Sequence, residues 1–170
     1  MLSPVVVVNP ALASLQPKAS AAASNGLVAE FLTELTVRVS RDRVAPTKSS
    51  HLYAYVAYAM FLASAPIDDM LFKNLGNVPE LPPRAESIDP VVAALAAGTS
   101  VARNIFLVAA ARTTFGEFRD RILRSAAKDL SASVEQESVK YGIGVAAAVV
   151  ARTNADGFEE SKKAMAPDVK

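Results

Sequence analysis

The stretch Lys48–Pro66 reads KSSHLYAYVAYAMFLASAP, and the nineteen residues between Lys48 and Asp68 carry no acidic or strongly basic side chain. On a helical wheel Leu52, Tyr53, Tyr55, Val56, Tyr58, Met60, Phe61 and Leu62 spread to every side instead of forming one stripe. A helix that is apolar all round is enclosed, by protein or by lipid. Ala54, Ala57, Ala59 and Ala63 would let neighbouring helices come close. A bilayer span needs about 20 apolar residues. Here serines open the run, three tyrosines interrupt it and Pro66 closes it. Residues 49–65 therefore read as a buried central helix wrapped by amphipathic ones, with a membrane-associated helical subunit as the alternative.

The totals agree with that reading. A chain of 170 residues is one domain's worth and can bury a core without staples. The absence of cysteine excludes disulfides, thiolate metal sites and a cysteine nucleophile. Eighteen basic against seventeen acidic residues is too even a balance to mark a nucleic-acid or anionic-membrane binder. Hydrophobic residues reach 51 % with only 6 % aromatics, and that alanine-rich composition favours helix. The expected class is all-α, a bundle of about five helices.

Working outward, residues 1–25 read as a flexible leader with Pro4, Pro10 and Pro17. Val5–Val8 followed by Ala11-Leu12-Ala13 faintly resembles a signal peptide, but without a basic start or enough apolar length. The acidic-poor leader leaves an organelle open as the compartment. The helical domain spans 26–157. Its first helix runs from about Gly26, capped by Asn25, to Asp42, with Leu27, Val28, Phe31, Leu32, Leu35 and Val39 on one face. Residues 66–89 form a long connection containing Pro66, Pro79, Pro82 and Pro83, too apolar to hang free. Asp89-Pro90 reads as an N-cap and first turn opening a helix to about Ala111, with Val92, Leu95, Thr99, Ala102 and Phe106 inward. Thr114 and Glu117 form a capping-box pattern for a fourth helix with Phe115, Phe118, Ile122, Ala126 and Leu130 inward. Ser133 and Gln136 repeat the pattern for a fifth, with Val139, Ile143, Ala146 and Val150 inward, ending near Asp156-Gly157. Residues 158–170 are a charged C-terminal tail.

Chemistry is sparse. His51 is the single histidine, and the adjacent Ser49 and Ser50 point elsewhere on a helix, so no nucleophile–base pair forms. Asp68-Asp69 would need further carboxylates to bind a metal or run acid–base catalysis. Arg112, Arg119, Arg121, Arg124 and Lys128 alternate with Glu117, Asp120 and Asp129, the pattern of a solvated face. Gly142 and Gly144 lack the third glycine and preceding strand of a dinucleotide site and instead suit close helix contact.

Between Phe31 and Ala65 the sequence resembles the N-terminal helices of bacterial vanadium-dependent haloperoxidases, within the type 2 phosphatidic acid phosphatase superfamily. Arg41, Asp42, Pro46, Ser50, Tyr53-Ala54-Tyr55-Val56 and Ala59-Met60 carry the resemblance. It continues through Asn74-Leu75-Gly76 and Pro79–Pro83 and returns at Ser138, Tyr141-Gly142, Val145-Ala146 and Asp156-Gly157, covering about 27–157. His51 stands where the family often has arginine, and Phe61-Leu62 replaces a Tyr-Glu pair. The family's oxyanion site, built from Lys-x6-Arg-Pro, Pro-Ser-Gly-His and Ser-Arg-x5-His, is missing. The resemblance therefore implies a scaffold without its catalytic half. It implies no catalytic, cofactor or metal residue in this chain, with vanadate or phosphate bound only if a partner supplies the site. It leans towards a periplasmic or secreted protein.

The reading that follows is a non-catalytic structural or interaction subunit, with one half of a split haloperoxidase or phosphatase as the alternative. A protein partner or a homo-oligomer is expected. Tyr55, Tyr58 and Phe61 on the central helix and Val145 and Val149 on the fifth are the expected contact residues.

Overall fold

The computed structural model describes residues 19–65, 78–106 and 109–157. Among them the regular structure is five helices: α1 (Ala19–Arg41), α2 (Pro46–Ser64), α3 (Pro90–Phe106), α4 (Ala109–Ala127) and α5 (Ala132–Thr153). No strand occurs among the described residues, and the helices pack as a bundle. None of them is long and apolar enough to cross a membrane.

The axis of the bundle is α3. Every residue from Val92 to Ala102 is buried, and the helix packs chiefly against α5 and α2, with α4 and α1 further out. Alanine-rich walls make this enclosure feasible, because short side chains let helices approach closely. Gly142 marks the tightest point. A Cβ there would run into the Ala93 carbonyl oxygen and lie 2.8 Å from Ala96 Cβ and 3.1 Å from Ala97 N. Asp89 opens α3 as its spacing predicts, with Oδ1 accepting from the backbone N–H groups of Val91 and Val92, each at 2.9 Å. Its own N–H donates to Ser138 Oγ at 2.9 Å, which pins the start of α3 to buried Ser138 of α5.

Burial on all sides, expected of residues 49–65, thus belongs to α3. Helix α2 buries one side only: Leu52, Val56, Ala59, Leu62 and Ala63. Tyr53, Tyr55, Tyr58 and Met60 flank that side half-buried, while Ser50, Ala54, Ala57 and Phe61 face outward.

Several boundaries shift. Helix α1 starts at Ala19, ahead of the expected Gly26, so Asn25 is interior and does not cap it; alanine and serine before Gly26 carry the turn on. Helix α4 starts at Ala109, so Thr114 and Glu117 are not its cap, and Thr114 Oγ1 instead accepts from Arg38 Nη1 at 3.0 Å. Ser131, not Ser133, caps α5, its Oγ accepting from Val134 N–H at 3.4 Å. The inward face of α5 is Ser138, Tyr141, Gly142, Val145, Ala146 and Val149, and Ile143 lies outside. Close approach at Gly142 sets that rotation, and a pattern scored by apolar size gives glycine no weight. Residues 78–89 are non-helical and keep Val78, Leu81 and Ile88 against the core. The remainder of the 66–89 connection, with Asp68-Asp69, lies outside the described residues.

Candidate functional site

The outer side of α2 and its junction with the end of α5 hold most of the residues singled out by sequence. Ser49 and Ser50 each donate from Oγ to the Pro46 carbonyl at 2.9 Å, closing the helix's own first turn. His51 looks instead towards the turn after α5, with Nε2 3.8 Å from Asp156 Oδ2. The Tyr55 hydroxyl donates to the same carboxylate oxygen, and the His51 and Tyr55 rings are tilted with centroids 6.0 Å apart. Arg152 sits over the Tyr58 ring, 6.0 Å from its centroid. One carboxylate thus gathers a histidine and a phenol from one turn of α2.

Desolvation pushes the Tyr55 phenol up to about 12, helped by its hydrogen bond to Asp156 and that residue's charge and opposed by Arg152. A phenol held this far up is a hydrogen-bond donor at neutral pH and has little tendency to become a phenolate base or nucleophile. The chemistry of the cluster is that of a tie between helices. Further ties repeat the theme. Arg38 Nε donates to Glu34 Oε1 at 2.7 Å while its Nη1 reaches Thr114 of α4. Arg121 Nη1 donates to Glu30 Oε1 at 2.5 Å, and the Tyr53 hydroxyl donates to Thr36 Oγ1 at 3.1 Å. Among the described residues no group of three His, Asp or Glu side chains could hold a metal.

The five expected contact residues divide. Phe61 is 39 % exposed, and Tyr55 and Tyr58 are half-buried. Val145 and Val149 are fully enclosed by the chain's own core, so they cannot offer a surface to a partner in this fold. Of the inward residues expected on α5, Ala146 is buried and Val139 and Val150 pack against the core, but Ile143 faces out and Val145 and Val149 take the enclosed positions. What sequence reading missed is Asp156 as the anchor of His51 and Tyr55. Its only signal was an acidic residue just past a helix end, which a solvated turn produces equally well.

The outward face of α2 has a spacing of its own. Ser50, Ala54, Ala57 and Phe61 follow one another at intervals of four, three and four, the spacing of a helix–helix seam. All four are exposed, and none is charged.

The described chain is an all-α bundle in which several polar side chains join one helix to another. No family model matches it, nor does any curated protein or solved structure.

Proposed function

We propose that this chain is a non-catalytic helical interaction subunit, and that its partner is a second copy of the chain meeting it along the outward face of α2. The observation that supports this reading is the uncharged seam Ser50–Ala54–Ala57–Phe61, with its aromatic end exposed. The seam is self-complementary when two copies run antiparallel about a two-fold axis. Phe61 of each copy then faces Ser50 of the other, and Ala54 faces Ala57, so the large side chain meets the small one at both ends. A four-residue seam is well below the roughly 800 Å² per partner of a standard stable complex, so the dimer is weak and concentration-dependent. The use of His51, Tyr55 and Asp156 as a tie fits a scaffold better than a catalyst, as does the resemblance to a haloperoxidase scaffold without its oxyanion motifs.

Sedimentation velocity over a broad concentration series tests this. The wild-type chain should shift reversibly from monomer to dimer, and Phe61→Asp or Ala57→Asp should remain monomeric with unchanged circular dichroism and melting. A wild-type chain that is monomeric throughout, or folded variants that dimerise as before, would refute the assignment.

A further inference from the structure

We propose that the cleft between α3, α4 and α5 binds a small carboxylic acid with a short apolar tail, a site independent of the α2 seam. The cleft holds about 410 Å³ and is lined by Ser100, Arg103 and Asn104 of α3, Arg119 of α4, and Ile143 and Ala147 of α5. Two arginines thus line one small cavity, and among the described residues no carboxylate lines it.

Arg119 is the unusual member. The half-buried arginines with described side chains are Arg38, Arg84, Arg119 and Arg152. Arg38 is paired with Glu34, Arg84 donates to the Ala65 carbonyl at 2.6 Å, and Arg152 covers Tyr58. Arg119 has no such partner among the described residues, and its Nε is sealed from solvent without a hydrogen bond. With Nε shut in by the packing and no acceptor within the described residues, the rest of the Arg119 guanidinium is left to be matched by an anion that reaches it from the cleft it lines. Arg103 likewise has no acidic partner among the described residues.

The lining chooses among anions. A planar guanidinium fork matches a carboxylate by paired N–H donors. Asn104 Nδ2 donates to the Ser100 carbonyl at 2.9 Å, which fixes the orientation of this lining amide. The apolar wall is formed by Ala147 and by Ile143, which is 42 % exposed. A fully hydrated phosphate would leave that wall unused, whereas an alkyl tail would cover it. The out-turned Ile143, which contributes nothing to the core, has a role as that wall.

The test is a titration of the full chain with hexanoate, with hexanamide and inorganic phosphate as comparators, followed by the arginine Nε–H resonances in a proton–nitrogen spectrum. Hexanoate should move the Arg119 Nε–H signal saturably, hexanamide should leave it in place, and phosphate should bind more weakly than hexanoate. Arg119→Gln should weaken hexanoate binding by about tenfold or more while leaving the backbone spectrum otherwise unchanged. Arg119→Lys, which keeps the charge but loses the fork, should weaken it too and serves if the glutamine variant does not fold. Absence of a saturable shift into the millimolar range, equal binding of hexanamide, or tighter binding of phosphate would overturn the proposal.

Discussion

Replacing Gly142 by alanine adds a single methyl group at the most crowded contact in the bundle. In an unobstructed helix interior the change stabilises by about 1 kcal/mol, because alanine is the better helix former. At Gly142 the new Cβ meets the Ala93 carbonyl oxygen and lies 2.8 Å from Ala96 Cβ. Both obstacles belong to α3, and neither is the far end of a flexible side chain, so the two helices must separate. Overpacking of this kind costs about 1–3 kcal/mol, and a backbone obstacle places it near the upper end. The net effect is a loss of about 2 kcal/mol, equivalent to a fall in Tm of about 4–8 °C for a chain of this size. Gly26→Ala provides the internal control: it lies inside α1 with nothing within 4 Å of an added Cβ, so the same substitution should stabilise by about 0.5–1 kcal/mol. Urea denaturation of the two variants beside the parent chain measures both signs. A Gly142→Ala protein as stable as the parent would refute the close packing of α3 on α5.

Asp89→Ala removes the acceptor for two N–H groups at the start of α3 and should cost about 1–2 kcal/mol in the same denaturation assay, with Asp89→Asn recovering much of it. The Tyr55 phenol, pushed up to about 12, makes a prediction for alkaline solution. The folded chain holds that proton to higher pH than the unfolded chain, whose phenol titrates near the ordinary value of about 10. The stabilisation is therefore complete below about pH 10 and is lost as pH rises towards 12. Tyrosinate absorbance should show one phenol titrating late, and Tyr55→Phe should abolish that late step and flatten the stability loss in this window.

The fold class was legible because helix formation leaves a strong imprint: alanine abundance, capping residues such as Asp89, and apolar spacing at Phe31, Leu35, Phe115, Phe118 and Ile122, all of which are buried. Which helix lies at the centre was not legible by counting large apolar groups. Helix α2 has the bulkier side chains, but enclosure favours the helix that others can approach, and the alanines and Gly98 of α3 make it that helix. The same bias misread part of the face of α5, where Gly142 and Ser138 turn inward and Ile143 turns out. Ties such as Asp156 to His51 and Tyr55 join residues far apart in sequence, and no local pattern records them. The arginine cleft was hidden for a related reason. Arg119 lies among alternating charges on α4, and only the packing of three helices separates it from Arg121, which finds Glu30.

The enclosure of α3 also has a consequence for the order of events on the ribosome. Its principal covering helix, α5, is the last of the described helices to be synthesised. Roughly 50 residues separate the end of the buried stretch of α3 from the end of α5, a delay of about 3–10 s at about 5–20 residues per second. During that interval the most apolar surface of the chain has α2 beside it and open water where α5 will lie. The nascent chain is then at its stickiest, and a trigger-type chaperone acting on it would have most to gain between completion of Ala102 and arrival of Val149.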